Sequence, residues 1–254
     1  LLVIFVGNTD PLRKRRQKKV QVAMSNRRNI IQLIGESNDK YIASRREWTV
    51  FDNVQLFIKD FPPHSVSIQD VIQELEEKIP KKFVQALDII YVGQFDQLQQ
   101  REVEAVYEDG AIYVSNEQPT EDEFVESIGH EIAHVLEEAV PIEIYGDGLI
   151  EEEFLGKRRR LWATLKAEKL ANQTDLKHFE NTDYAENFDI YLYKKVGYPT
   201  LTSLTMGLFL SPYAATSMRE YFANAFEAFF LNNEKQYVKQ ISPAVYNKFI
   251  ALSS

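Results

Sequence analysis

The feature that most constrains this chain is the run His130-Glu131-Ile132-Ala133-His134. The chain has only four histidines, and two of them stand here, four positions apart. On a helix, residues i and i+4 share a face, so both imidazoles could bind one metal ion. Glu131 would leave the helix about 100° from His130, where it can hold a water beside the ion without binding the ion itself. The alternative is a helix that carries two solvated or core histidines.

The residues around this run predict a helix. Thr120 and Glu123 fit a capping box, and Pro141 lies just past the expected end. Apolar residues at helical spacing predict a buried stripe, which consists of Phe124, Ile128, Ile132 and Leu136. The two histidines therefore belong to a helix with one face in a core.

Composition limits the chemistry. The chain has 254 residues, is 44% hydrophobic and contains no cysteine, so a metal would have to be held by histidine and carboxylate. The apolar start Leu1–Val6 is too short to span a bilayer, and its charges follow it, unlike those of a signal peptide. It is predicted to be a short buried strand. With no other apolar run of membrane length, we expect a soluble protein without a membrane span.

Charge is distributed unevenly along the chain. Residues 1–50 carry eleven Lys and Arg against four Asp and Glu, a balance of +7, which leaves −16 for the remainder. The densest basic cluster is residues 13–19. We predict a basic N-terminal extension over 1–50 that contacts an anionic partner, nucleic acid or the acidic body, or simply solvates a terminus. A dedicated nucleic-acid module is disfavoured because aromatic residues are not interleaved with the basic ones.

The order of predicted elements indicates an α+β fold. Even spacing of apolar residues predicts a strand over 48–58, and Ser67 caps a predicted helix. Short apolar runs at 88–92 and 111–115 predict two more strands before the helix of the histidines. Further helices are predicted over 151–170 and 183–194. The expected architecture is a set of short strands before the helix of the histidines, followed by a mostly helical C-terminal half.

A third metal ligand is expected on a second helix. The segment 211–227 is predicted to be a loop followed by an aromatic-rich helix, on which Glu220, Asn224 and Glu227 share one face. Glu220 could complete a metal site. It also fits a capping box with Ser217, so spacing alone leaves cap and ligand open.

Two segments together carry a family resemblance. The HEIAH run, with Tyr213 and the downstream Glu220-Tyr-Phe-Ala-x-Ala-Phe226, resembles the anthrax lethal factor-like metallopeptidases, which include bacterial Pro-Pro endopeptidases. The resemblance implies a zincin-like core over residues 51–254, with a small mixed sheet that has an edge strand. The resemblance further implies that Zn²⁺ is held by His130, His134 and Glu220. It also implies that Tyr213 stabilises the oxyanion of the reaction.

Two features depart from that family. Asn224 stands where the family usually has a second Glu beside the metal ligands, so the surroundings of the metal are expected to differ. Glu220 follows His134 by 86 residues, a long separation, so we predict a helical insertion at about 141–210.

These expectations define a function. We expect a zinc-dependent metallopeptidase acting on a protein or peptide substrate, with Glu131 as general base. The strand of Ile112, Tyr113 and Val114 is expected to be the sheet edge on which the substrate lies. The alternative is a catalytically weak or inactive zincin-fold binding protein that works through its basic arm.

Overall fold

The computed structural model describes residues 46–254, and Glu47–Ser254 form one compact unit. The predicted strand Leu1–Val6 and the basic cluster 13–19 lie outside the described residues. Residues 47–50, which the sequence assigns to the extension, form the first strand of the sheet.

Five strands form one mixed sheet in the order β1-β2-β3-β5-β4. The strands are β1 (Glu47–Val50), β2 (Val54–Ile58), β3 (Ile89–Gly93), β4 (Ala105–Glu108) and β5 (Ala111–Ser115). The outer pairs β1–β2 and β4–β5 are antiparallel, and the inner pairs β2–β3 and β3–β5 are parallel. The small mixed sheet expected from the sequence is therefore confirmed.

The single strand predicted over 48–58 is wrong, because two strands and a tight turn occupy this range. Phe51 and Asp52 adopt left-handed backbone angles, with φ of 48° and 74°, and reverse the chain. Val50 and Val54 pair directly across the turn, and both are buried. Paired residues point to the same face, so the even spacing of apolar residues continues through the turn and conceals it.

The helix predicted after Ser67 is confirmed as α1 (Ile68–Lys78). The Ser67 hydroxyl accepts a hydrogen bond from the Asp70 N–H at 3.3 Å, which satisfies one of the free donors at the helix start. The helix ends before Pro80, and a separate 3₁₀ turn, Lys81–Val84, follows. The apolar face of α1 is buried; its residues are Ile68, Val71, Ile72 and Leu75.

The helix of the two histidines is α3 (Glu121–Ala139), and a short helix, α2 (Asp96–Arg101), precedes β4. The Thr120 hydroxyl caps α3 by accepting from the Glu123 N–H. The predicted stripe is fully buried, and α3 contacts α1, β4 and β5. The sequence predicted neither α2 nor β4.

The C-terminal half is mostly helical, as expected. Its helices are α4 (Pro141–Tyr145), α5 (Leu149–Ala167), α6 (Leu176–Phe179), α7 (Glu186–Ile190), α8 (Tyr198–Thr205), α9 (Met218–Phe226), α10 (Lys235–Ile241) and α11 (Pro243–Ser253). Shorter 3₁₀ turns are Gln173–Asp175 and Tyr213–Ala215, and π-helical turns are Tyr191–Val196 and Glu227–Leu231. No helix within residues 46–254 is both long enough and apolar enough to cross a bilayer.

Candidate metal centre

Helix α3 presents both histidines of the motif to one site. The ring centroids of His130 and His134 lie 5.0 Å apart, with their planes at 82°. The opposite face of α3 is held in the core by the buried stripe, so the direction of the two imidazoles is fixed by packing. Spacing of i and i+4 thus produces the shared face that the sequence predicts.

Glu220 reaches the same site from the first turn of α9. Its Oε2 lies 3.1 Å from Nε2 of His130, and its Oε1 lies 3.7 Å from Nε2 of His134. One ligand atom from each of these three residues lies within 4.8 Å of the others, so the group could hold a metal ion. Two histidines and one carboxylate from two packed helices are therefore gathered at one point.

The two roles weighed for Glu220 fall on different groups of the same residue. Its backbone N–H donates to the Ser217 hydroxyl at 3.1 Å, which caps α9. Its carboxylate turns instead toward the two imidazoles. Capping therefore needs only the backbone of Glu220, and the side chain is available for a metal.

The surroundings of the Glu220 carboxylate fit a cation. Oε2 is buried and lies 3.1 Å from Nε2 of His130, which cannot donate to it while the imidazole is neutral with its proton on Nδ1. A buried carboxylate oxygen without a partner is costly, and buried polar atoms are nearly always satisfied. A metal ion between Glu220 and the imidazoles would satisfy it.

The titration of these groups follows from their proximity. Burial lowers the pKa of His130, but the carboxylates of Glu220 and Glu227 outweigh it and hold that pKa well above its usual value. Burial raises the pKa of Glu220, but the imidazoles of His130 and His134 outweigh it and hold that pKa below its usual value. The raised pKa favours a protonated His130, which would supply the positive charge when no metal is bound.

Each imidazole has a second carboxylate behind it. Nδ1 of His130 donates to Oε1 of Glu227, and Nδ1 of His134 donates to Oε2 of Glu137 at 2.6 Å. Glu137 also accepts from the Tyr145 hydroxyl. These bonds fix the ring orientations and leave Nε2 of each imidazole directed at Glu220, as in metal-binding histidines.

The sequence prediction did not assign these outer carboxylates. Glu137 stands three residues after His134, so helical spacing was a signal that could have found it. Glu227 stands seven residues after Glu220 on the same helix face, but nothing in the spacing linked it to His130.

The hydrogen bonds of Asn224 go to residues other than the two histidines. Its Nδ2 donates to the backbone carbonyl of Glu220 at 2.9 Å, and its Oδ1 accepts from the Ser211 hydroxyl. Asn224 thus connects the start of α9 to the preceding loop. The position of the outer carboxylate is taken by Glu227 one turn further on.

Glu131 is 8% exposed and lies beside the two histidines. Its Oε2 accepts a hydrogen bond from the backbone N–H of Tyr107 in β4, at 2.7 Å. This bond orients the carboxylate and ties α3 to the sheet. Glu131 is thereby held next to the candidate metal ligands by a hydrogen bond from β4, a strand that the sequence did not predict.

Tyr213 lies in the 3₁₀ turn before α9 and is 37% exposed. Burial, and then the Glu220 carboxylate, raise the pKa of its phenol. Tyr213 therefore stays protonated and remains a hydrogen-bond donor at neutral pH. Tyr213 and Glu220 line the same cleft.

A cleft of about 790 Å³ runs past these residues. One wall is β4, another is formed by α3 and the start of α9, and Tyr184 and Glu186 contribute from the helical segment beyond α6. His130, Glu131, His134, Tyr213 and Glu220 all line it. The predicted metal ligands and catalytic residues thus share one cleft.

The predicted substrate strand is wrong in one respect. Ile112, Tyr113 and Val114 do form a strand, but β5 lies between β3 and β4 and is paired on both sides. Ile112 and Val114 are fully buried, and Tyr113 stacks on Tyr91 on the opposite face, with centroids 5.2 Å apart. None of the three offers a free backbone edge.

The edge strand at the cleft is β4. Ser115 N–H donates to the Glu104 carbonyl at 2.7 Å, which sets the hydrogen-bonding phase of the β4–β5 ladder. The antiparallel pattern then turns the backbone groups of Ala105 and Tyr107 away from β5. The missed strand is four residues long with little apolar alternation, which left no periodic signal.

No family model, curated protein or solved structure matches this chain.

Proposed function

We propose that this chain is a zinc-dependent metallopeptidase that hydrolyses peptide bonds of a protein substrate. The observation that carries the proposal is the buried Glu220 carboxylate, whose Oε2 lies 3.1 Å from Nε2 of His130 and whose Oε1 lies 3.7 Å from Nε2 of His134. The resemblance to the lethal factor-like zincins supports the same conclusion.

The donor set favours zinc over other common cations. Two imidazole nitrogens and one carboxylate oxygen are a set that catalytic zinc sites use, with a position left for water. Calcium and magnesium prefer sites made wholly of oxygen donors. The carboxylates behind His130 and His134 strengthen the case, because they hold each imidazole with Nε2 free for a metal.

The residues of the cleft can divide the work of peptide hydrolysis. When bound, Zn²⁺ would polarise the scissile carbonyl and make a water more acidic. Glu131 would accept the proton of that water and deliver it to the leaving amine. Tyr213, protonated at neutral pH, would donate a hydrogen bond to the carbonyl oxygen as negative charge develops on it.

An extended peptide can pair with the free edge of β4. The backbone groups of Ala105 face the cleft and would continue the sheet by strand addition. The Tyr107 N–H is engaged by Glu131, so the carboxylate is fixed beside the strand on which the substrate would lie. The substrate and the general base Glu131 would thus both be held by β4.

The test combines metal analysis with a single substitution. Purified protein should contain about one zinc per chain. Incubated with a peptide library, it should cleave, and Glu131→Gln should slow cleavage by about 100-fold or more with zinc content unchanged. The matched control is Asp122→Asn, because Asp122 is exposed on the same helix and does not line the cleft.

Two outcomes would overturn the proposal. If the protein binds no zinc after loading, the metal site is refuted. If Glu131→Gln cleaves at the wild-type rate, the role of Glu131 as general base is refuted. Zinc bound without cleavage by either protein would favour the alternative, a binding protein with a zincin-like fold.

A further inference from the structure

Arg158, in α5, is the most deeply buried charged side chain of the described residues, with 1% of its surface exposed. No ion pair joins it to a carboxylate within residues 46–254. Its guanidinium lies 4.1 Å from the ring centroid of Phe188 and is also close to the rings of Phe154 and Phe179. A cation is therefore enclosed by aromatic rings instead of being neutralised.

Burial of this charge is costly. The buried Nε has no hydrogen-bond partner, and burial lowers the pKa of the guanidinium. That pKa falls to about 9, which still leaves the guanidinium charged at neutral pH. An apolar side chain of similar volume would avoid this desolvation penalty. Packing alone therefore does not account for an arginine at this position.

The hydrogen bonds of Arg158 go to backbone carbonyls in two distant segments. Nη1 donates to the carbonyls of Ala215 at 2.6 Å and Thr216 at 3.1 Å, and Nη2 donates to that of His178 at 2.6 Å. One planar side chain thus joins α5, the end of α6 and the turn before α9. Its rigid fork of donors suits such a junction better than a lysine ammonium would.

The two carbonyls in the turn occupy a sensitive place. Ala215 and Thr216 stand between Tyr213 and Ser217, and Ser217 caps the helix whose first turn carries Glu220. The Thr216 hydroxyl donates to the Tyr213 carbonyl at 2.8 Å, so this turn is internally braced. Because Arg158 binds Ala215 and Thr216 at the centre of this turn, it also fixes the backbone directions at Tyr213 and Ser217.

A second contact ties the same helix start to the same region. The backbone N–H of Met218, the first residue of α9, donates to the carbonyl of Thr182 at 2.8 Å. Thr182 lies between α6, which Arg158 holds through His178, and α7, whose Phe188 stacks on Arg158. The helical lobe, which we define as residues 149–205 from α5 to α8, thus grips the start of α9 at two points.

We propose that Arg158 is a positioning residue of the metal centre. Through the Ala215 and Thr216 carbonyls it holds the turn 213–217, so that the Tyr213 hydroxyl and the Glu220 carboxylate face one cleft. The helical lobe is then a working part of the site and does more than extend the fold. The hydrogen bonds of Arg158 to the turn are part of the structure. Their effect on metal binding rests on the proposed function.

The test uses the full chain and compares three proteins: wild type, Arg158→Lys and Arg159→Lys. Lysine keeps the charge at 158 but cannot reach three carbonyls at once. Arg159 is the matched control, because it follows Arg158 in the chain, its side chain is exposed, and it pairs with Glu180 at the surface. Amide hydrogen exchange and zinc affinity by chelator competition are measured on each.

A positioning role predicts a local effect. In Arg158→Lys, amides of residues 213–220 should exchange about tenfold faster, while the sheet amides of β3 and β5 keep their wild-type rates. Zinc should bind about 10- to 100-fold more weakly, the range found when residues that orient metal ligands are changed. Arg159→Lys should match wild type in both measurements.

Other results would overturn the proposal. If amides of 213–220 exchange at wild-type rates in Arg158→Lys, Arg158 does not hold the turn. If amides throughout the chain exchange faster, Arg158 has a general role in stability and not a positioning role. If Arg158→Lys does not fold, exchange of the wild type with and without zinc decides. Zinc should then protect 213–220 and 178–182 together, and protection of the first segment alone would refute coupling through Arg158.

These results are separable from the proposed function. A wild-type protein that binds no zinc would refute the metallopeptidase assignment. The metal-free exchange comparison would still test whether Arg158 holds the turn.

Discussion

Nδ1 of His130 donates a hydrogen bond to the carboxylate of Glu227, a residue 97 positions later in the chain. Glu227 begins the π-helical turn that continues α9. The bond therefore joins the two helices that supply the candidate ligands and directs Nε2 of His130 toward Glu220. Because the orientation of one ligand depends on a distant carboxylate, the pair offers a direct test of the site.

Glu227→Gln should weaken zinc binding by about 10- to 100-fold, because the neutral amide is a poorer partner for the imidazole N–H. Asn224→Ala should weaken it less, since Asn224 bonds to Ser211 and the Glu220 carbonyl. Both affinities can be measured by competition with a chromophoric chelator. A larger loss for Asn224→Ala than for Glu227→Gln would contradict the arrangement.

Glu220→Gln and Ser217→Ala should separate binding from capping. Glu220→Gln keeps the backbone N–H that Ser217 accepts, so α9 should stay folded while zinc affinity falls sharply. Ser217→Ala removes the cap and should cost about 1 kcal/mol of unfolding free energy. Denaturant unfolding and zinc titration of both variants check this. The idea fails if Glu220→Gln binds zinc like wild type.

His130→Ala and His134→Ala should each abolish stoichiometric zinc binding, since each removes one of the three candidate ligands found within residues 46–254. The other two histidines supply the controls. His64→Ala and His178→Ala should retain about one zinc per chain, because neither side chain belongs to the cluster. Elemental analysis after dialysis gives the answer, and zinc retained by both motif variants would rule out the site.

The stability of the metal-free protein should fall as pH rises above neutrality. The folded pKa of His130 lies well above the ordinary histidine value of about 6.5, because the Glu220 and Glu227 carboxylates outweigh its burial. Its contribution is thus complete below about 6.5, the unfolded value, and is lost as pH rises through the folded value. Zinc affinity should change in the opposite direction, since binding requires the neutral imidazole.

Urea unfolding of chelator-treated protein at several pH values measures this contribution. His130→Gln should flatten the decline, because the titrating group is gone. Metal-free stability that increases over the same pH range would show that His130 is not held in its protonated form.

Gly129→Ala should destabilise the protein by about 1–3 kcal/mol through overpacking. A Cβ at this position would lie 2.4 Å from Cδ1 of Leu231, in the π-helical turn that also carries Glu227. The glycine allows α3 to approach that turn closely. Adding Leu231→Val should restore part of the loss, as measured by denaturant unfolding. Purely additive losses in the double variant would show that the two residues do not collide.

Local spacing was sufficient for much of the site. The positions of His130, Glu131 and His134 on one helix follow from a period of 3.6 residues, a cap at Thr120 and a buried stripe. Glu137 was within reach of the same reasoning. The α+β class and the helical C-terminal half were also predictable, because the apolar patterns of most of their elements are local.

The rest depended on contacts between residues far apart in the chain. Strand order made β4 the edge and buried β5 between two partners, which no single strand reveals. The basic run 157–160 did not distinguish Arg158 from its exposed neighbour Arg159, because burial is decided by what packs against α5.

Glu220 shows where the division falls. Its sequence context allowed a cap or a ligand, since Ser217 and the two histidines each supply a suitable partner. Helix packing assigned the backbone N–H to Ser217 and directed the carboxylate to the imidazoles. The sequence by itself determined which chemical groups were present. Only the tertiary structure decided which of them meet, because the free energy of packing depends on all the elements together.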